Sequence, residues 1–196
     1  MARIVLASRS PRREALLRQV GLDFEVLSSD LEEQWPEGLP PAEVAAHLAL
    51  EKAQSIASQL DSGLVIGADT AVVVDGRVLG KPSNPEEARA MLRLLSGREH
   101  QVITGIAVVD AGDGRTLVDS VTTNVRFAPL SEQVIQRYVA TGEPLDKAGG
   151  YGIQGYGALL IEGISGDYNN VVGLPLRRLA ELLVELGYDA FMMGSS

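Results

Sequence analysis

The 196-residue chain contains no cysteine, which excludes disulfide staples, thiol nucleophiles and thiolate zinc sites together. Histidine is nearly as scarce. His47 and His100 are the only two, so a multi-histidine metal centre is excluded as well, and both read as packing or surface residues rather than members of a catalytic triad. Basic residues are in deficit, 17 Lys and Arg against 26 Asp and Glu, and the net charge of −9 sets up a field that repels polyanions. Duplex nucleic acid is therefore not an expected partner. No apolar run approaches the roughly 18 to 20 residues needed to cross a bilayer. The opening MARIVLASRSPRR passes from a short apolar stretch into charge and proline, not into a small-residue cleavage site. The expectation is a cytoplasmic protein without a membrane partner.

What is present suits a folded domain: 45% apolar and 22% charged residues, with no low-complexity bias. Strand and helix signals alternate. Ile4–Ala7 reads as a buried strand, Pro11–Val20 as a helix stopped by Gly21, and Phe24–Leu27 as a second strand. Pro40–Leu60 reads as a long helix with Val44, Leu48, Ile56 and Leu60 on one row. Leu64–Ala68 is a short apolar strand ending at Asp69, and Val72–Leu79 is a hairpin around Asp75-Gly76. Asn84, Pro85 and Glu87 supply a cap, a first-turn proline and a capping-box acid for a helix ending at Gly97. Gln101–Asp110 and Thr116–Phe127 read as long paired strands, Ser131–Ala140 as a helix, Ala158–Ile161 as a strand and Leu176–Leu186 as the last helix. The fold class is α/β: a mixed, partly antiparallel sheet flanked by helices, in a single domain over 1–196 whose two lobes share that sheet around a cleft. The apolar strands of Gln101–Phe127 are either core or the interface of a homodimer.

Several clusters point to chemistry. Arg12 and Arg13 fall in the first turn of a helix that Ser10 and Pro11 begin, where the macrodipole disfavours cations. Either they pair with acids such as Glu14, or a bound phosphate compensates them. The acidic run Asp30-Leu31-Glu32-Glu33 is either a solvated loop or a source of ligands. Asp69 stands at a strand end, where open α/β sheets hold ligands, or serves as a turn residue. If Glu33 and Asp69 converge, their hard oxygens suit Mg²⁺ or Mn²⁺. Lys52 shares a row with Leu48 and Ile56, and either snorkels to solvent or enters a polar cleft. Lys81 follows Gly80 in a similarly ambiguous setting. The glycine-dense stretch Gly142–Gly157 either lets backbone approach a ligand, with Gln154 offering a donor and an acceptor to a base edge, or is a mobile surface loop.

Taken in order, LASRSPRREALLRQVG, DLEEQ, EKAQ, GADTAV, LGKP, LSG followed by TG, EPLDKAGGYGIQG and NNVVGLPL resemble the Maf family of nucleoside triphosphate pyrophosphatases over nearly the whole chain. The resemblance implies an architecture like that of the inosine triphosphate pyrophosphatases. It also implies hydrolysis of a nucleoside triphosphate to monophosphate and pyrophosphate with a divalent cation. Asp69 would be the proton acceptor or a metal ligand, and Glu33 a metal or water partner. Ser8, Arg13, Lys52 and Lys81 would hold the phosphates. Arg12, Thr70 and Gln154 match the branch acting on dTTP and UTP, with modified pyrimidine nucleotides as further substrates. The branch acting on 7-methyl-GTP carries tryptophan, glutamine and glutamate at those three positions. A tryptophan there would stack on a cationic purine, whereas Arg12 would repel it. Arg9 departs from the small residue common in the family, and the tail GYDAFMMGSS matches none of its motifs. Two other readings stand beside this one: a nucleotidyltransferase, which would show a more glycine-rich first loop, and a nucleotide-binding regulator of cell division, which would not need Asp69.

Overall fold

The computed structural model describes residues 3–28 and 39–189. In chain order the elements are β1 (Ile4–Ala7), α1 (Pro11–Gln19), β2 (Glu25–Val26), α2 (Pro41–Ala57), β3 (Leu64–Val74), β4 (Arg77–Leu79), α3 (Pro85–Leu95), β5 (Glu99–Asp110), β6 (Thr116–Phe127), α4 (Glu132–Ala140), β7 (Ile161–Ser165), α5 (Tyr168–Val172) and α6 (Leu176–Glu185). Three short 3₁₀ segments lie between α4 and β7, at Glu143–Asp146, Ala148–Gly150 and Gly155–Leu160. One seven-stranded sheet runs β2-β1-β3-β5-β6-β7, with β4 added to β3. It is mixed as expected, since β1 is parallel to β2 and β3 while β4 and β7 pair antiparallel with β3 and β6.

The chain divides into two compact units. One comprises Met1–Asp69, Thr104–Val121 and Gly173–Ser196, the other Thr70–Ile103 and Thr122–Val172. Each has its own core. In the first, Val5, Ala7 and Val65 of the sheet pack with Ala49, Ala53, Ile56 and Ala57 of α2 and with Ala107 and Val109 of β5. In the second, Val72, Leu92, Leu95, Phe127, Ile135, Tyr138 and Tyr151 are among the residues of one buried cluster.

The first core is unusually thin at two points, because two glycines in the strands remove the side chains that would hold α2 off the sheet. A Cβ on Gly67 would lie 2.1 Å from the carbonyl oxygen of Ala49, and one on Gly105 would lie 2.0 Å from that of Ala45. The helix answers with Ala45, Ala49 and Ala53, all fully buried. Small residues on both partners bring backbone against backbone, which is the reason for the alanines interleaved with the larger residues of α2.

Local signals behave as their chemistry requires. Asp75 and Gly76 both take positive φ (50° and 74°) between the paired residues Val74 and Arg77, as a two-residue hairpin turn demands. The Asn84 side chain accepts the Glu87 N–H at 2.9 Å, while the Glu87 carboxylate turns back to the backbone N–H and hydroxyl of Ser83. The box therefore closes one residue earlier than the sequence suggests. β5 is buried from Val102 to Asp110, so its apolar side chains are core of the single chain, while β6 is half-buried or exposed over most of its length.

Four elements depart most from the bounds read in the sequence. The long helix starts and stops short, at Pro41–Ala57, and the second strand shrinks to Glu25–Val26. β3 does not stop at Ala68 but continues through Asp69 to Val74, flanked by β5 and joined by β4 from Val72 onward. The expected strand at Ala158–Ile161 begins only at Ile161. Gly155 takes φ +69°, and the N–H groups of Tyr156 and Gly157 are spent on the Glu143 carboxylate, which leaves a 3₁₀ segment in place of a ladder.

In the second core, His100 forms edge contacts with Phe127 and Tyr151 at centroid distances of 5.1 and 5.3 Å, and its Nε2 lies 2.6 Å from the Tyr151 hydroxyl. Burial pushes its pKa down from 6.5 to about 4.

Two predictions follow from the packing. Gly105→Ala should destabilise the fold by about 3 kcal/mol or more in urea denaturation, since backbone blocks the new methyl. Gly163→Ala, where a Cβ meets nothing within 4 Å, should change stability by well under ~1 kcal/mol. Because the folded state resists protonating His100, the unfolded chain binds the extra proton between pH 6.5 and about 4, and stability falls as pH falls through that window. The loss attributable to His100, up to about 3 kcal/mol, should be absent from the pH dependence of a His100→Gln variant.

Candidate active site

In the first unit Ser8, Ser10 and Arg13 come together where β1 gives way to α1. Ser8 is 7% exposed, and its hydroxyl oxygen accepts the Ser10 N–H at 3.1 Å and Arg13 Nη1 at 3.2 Å. With both lone pairs engaged, the remaining capacity of Ser8 is its O–H, a donor suited to an anionic oxygen. Arg13 is fixed further by Nε donating to the Gly173 carbonyl at 2.7 Å. Glu14 is not its partner: that carboxylate takes Arg18 at 3.0 Å, one turn on. Ser10 occupies the N-cap of α1 without a side-chain cap hydrogen bond, and Pro11 at the first turn has no N–H. The start of this nine-residue helix carries Arg12 and Arg13 with Glu14 as the acid of its first turn.

Asp69 lies beside the same sheet end. Ala7 pairs with Gly67 as the last rung of the parallel β1–β3 ladder, and Ser8 and Asp69 lie one and two residues past that rung. Asp69 is not at the end of its own strand, as the sequence suggested, but just beyond the carboxyl end of β1. It is 3% exposed, and Lys52 Nζ meets its Oδ1 at 2.6 Å. Lys52 itself is 8% exposed and does not snorkel to solvent. The glycine contacts of α2 explain this: with the helix backbone pressed on Gly67, the lysine three residues after Ala49 has only the interior to enter.

The second oxygen, Asp69 Oδ2, is fully buried and has no hydrogen-bond partner among the described residues. A buried carboxylate oxygen left in this state is costly unless a cation or water donor meets it. One neutralised and one open oxygen fit a hard divalent ion or an attacking water. Among the described residues no group of three His, Asp or Glu could hold a metal by itself. Glu33, the expected second carboxylate, lies outside the described residues, as does the rest of the Asp30–Glu33 run.

The remaining candidates belong to the second unit. Thr70 follows Asp69 on β3 and is half-buried. Lys81 is exposed, directly after Gly80, whose carbonyl accepts the Gly149 N–H at 3.0 Å. Gln154 is exposed on the segment between Gly152 and Gly157. Of the residues expected from the sequence, the structure brings Ser8 to Arg13 and Lys52 to Asp69. His47 is exposed and faces Glu51 one turn along α2, away from any of these groups' contacts.

The glycine-dense stretch is packed against its own side chains. A Cβ on Gly149 would meet Val72 at 2.9 Å, one on Gly152 the Lys147 methylenes at 2.9 Å, and one on Gly155 the Glu143 carboxylate at 2.6 Å. The sequence reads these glycines as room for a ligand or as a mobile loop and gives no role to Glu143 or Tyr138. The EPLDK segment ahead of the glycines was the available signal.

Residues 3–186 match the family model described as Maf-like protein. The chain is 53% identical over 189 residues to a dTTP/UTP pyrophosphatase of Pelotomaculum thermopropionicum, covering 96% of this chain and 99% of that protein. It is 54% identical over 195 residues to a dTTP/UTP pyrophosphatase of Symbiobacterium thermophilum, covering all of both chains. Among solved structures, the Ham1 protein of Staphylococcus aureus aligns with 64% of this chain and 72% of its own, at a TM-score of 0.46 and 22% identity.

Lys52→Met should destabilise the protein by about 3 to 5 kcal/mol at neutral pH, because it strands a buried carboxylate. Adding Asp69→Asn to that variant should restore much of the loss in thermal melts, since the amide needs no counter-charge. Recovery of stability without recovery of function is the expected signature of this pair.

Proposed function

Since the chain belongs to the Maf family, we propose that it is a nucleoside triphosphate pyrophosphatase that hydrolyses dTTP and UTP to the monophosphate and pyrophosphate. The observation that carries the reading is the buried Asp69: one oxygen neutralised by Lys52 at 2.6 Å, the other open, at the sheet end where Ser8 and Arg13 form a cradle for anionic oxygen.

In this reading water adds to the α-phosphorus and the bond from that phosphorus to the bridging oxygen breaks. The bridging oxygen leaves on pyrophosphate. Asp69 Oδ2 orients the water and takes its proton, or ligates a cation, while Lys52 holds the carboxylate in place through Oδ1. The Ser8 hydroxyl and the Arg13 guanidinium bind the phosphates, joined by Lys81, and stabilise charge as it moves onto the leaving group. Asp69 and Glu33 are the carboxylates that would hold Mg²⁺ or Mn²⁺, which supplies further neutralisation of the triphosphate. Arg12, Thr70 and Gln154 set base preference. Thymine and uracil present an N–H between two carbonyls, and an amide side chain offers the matching acceptor and donor.

The test is release of pyrophosphate, as against orthophosphate, from dTTP, UTP, 7-methyl-GTP and ATP with Mg²⁺ or Mn²⁺. Pyrophosphate should come from dTTP and UTP with little from the purines. Asp69→Ala should abolish turnover, whereas Arg12→Ala or Gln154→Ala should mainly change which base is accepted. Full activity in Asp69→Ala would sink the mechanism, and binding of dTTP without turnover by the native protein would favour a nucleotide-binding regulator.

A further inference from the structure

Gln154 sits in the middle of a segment whose two ends are fastened to one pair of side chains. At the near end the Gly152 N–H donates to the Tyr138 hydroxyl at 3.3 Å. At the far end the Tyr156 N–H donates to Glu143 Oε2 and the Gly157 N–H to Oε1, both at 2.9 Å. Tyr138 closes the circuit by donating its own hydroxyl to Glu143 Oε1 at 2.9 Å. Three donors therefore converge on one carboxylate, and only Ile153, Gln154 and Gly155 lie between the fastened positions.

The fastening is itself anchored. The Glu143 N–H donates to Thr141 Oγ1 at 3.1 Å, and the Glu143 carbonyl accepts Lys147 Nζ at 2.7 Å. Tyr138 lies in the core of the second unit at 4% exposure. Burial, reinforced by the neighbouring Glu143 charge, holds its hydroxyl pKa well above the ordinary value, so it remains a donor at all working pH values. The loop backbone is folded so tightly that a Cβ on Gly157 would lie 2.1 Å from the Gly152 carbonyl and 2.9 Å from the Tyr138 hydroxyl. Gly155 needs its positive φ of 69° to turn past Glu143. With the flanking backbone spent in this way, Gln154 projects an exposed side chain from a rigid base.

We propose that Glu143 is the positioning residue for base recognition: its carboxylate, with the Tyr138 hydroxyl, fixes the segment that presents Gln154 to the pyrimidine edge. The proposal rests on the assignment of Gln154 to the base. Glu143 touches neither base nor phosphate in this scheme. It removes in advance the conformational freedom that Gln154 would otherwise lose on binding, so it acts on substrate affinity and base choice more than on the chemical step.

The experiment is a double-mutant cycle on kcat and KM for UTP and CTP. CTP differs from UTP at the base edge, with an amino group and an unprotonated nitrogen in place of the carbonyl and N–H. Glu143→Gln keeps the shape but sets an amide NH₂ against backbone donors. It should raise KM for UTP and lower the UTP over CTP preference by about tenfold with kcat within about threefold. Tyr138→Phe, which deletes one hydroxyl, should shift the same two quantities in the same direction by a smaller factor, and it serves if Glu143→Gln folds poorly. In a Gln154→Ala background either change should have little further effect on the preference. Equal effects with and without Gln154 would overturn the positioning role while leaving the base assignment intact. If Gln154→Ala leaves the preference untouched, the base assignment falls and the proposal falls with it.

Discussion

Backbone contact between α2 and the strands at Gly67 and Gly105 is the constraint on which the first unit depends. A helix normally stands off a sheet by the depth of its side chains. Here Ala45, Ala49 and Ala53 face two glycines, and the gap closes until carbonyl oxygens of the helix occupy the space of absent Cβ atoms. The consequence is chemical as well as structural. A lysine on such a helix cannot lift its charge to solvent, and its only stable arrangement is a hydrogen-bonded carboxylate, which Asp69 provides at 2.6 Å. The pair is worth little as a source of stability, because desolvating both charges offsets most of their attraction. Its value lies in holding a buried carboxylate rotationally fixed, with one oxygen left over.

Much of this was legible in the sequence where the determinants are local. The Asp75-Gly76 turn, the Asn84 cap, the β1 strand and the Arg12-Arg13 first turn depend on residues within a few positions of each other, and the structure keeps them. Asp69 and Lys52 were singled out, but their pairing was not, since it depends on how far α2 stands from the sheet. A glycine inside an apolar strand gives no hint of whether a helix backbone will press against it, 18 residues earlier as Ala49 does on Gly67 or 60 earlier as Ala45 does on Gly105. The length of β3 was hidden for a similar reason: its continuation past Asp69 is flanked by β5 and joined by β4, partners reached only later in the chain. Glu143 was passed over because its ligands are backbone N–H groups, which carry no residue type to read.

The glycine-dense stretch shows how one composition admits opposite physical explanations. Glycine permits close approach, but sequence does not say by what. At Gly149, Gly152, Gly155 and Gly157 the approaching atoms are Val72, Lys147, Glu143 and the loop's own backbone. These glycines serve rigidity, because they let internal side chains seize the backbone, and a segment that would read as mobile becomes one with almost no slack.

The two sets of candidate residues are therefore held by different means, with different consequences for change. Lys52 and Asp69 are fixed by backbone packing on both sides, so any residue that alters the depth of α2 disturbs charge placement along with stability. Gln154 extends outward from a loop whose hydrogen bonds involve its neighbours' backbone and not its own side chain. Replacing it costs the core nothing and alters only what the loop presents. A scaffold arranged in this way can exchange the exposed side chain at position 154 for another while the buried carboxylate and its lysine remain where the two strand glycines put them. With Gln154 at the base, as proposed, divergence in nucleotide preference on a constant reaction is the expected outcome of that separation.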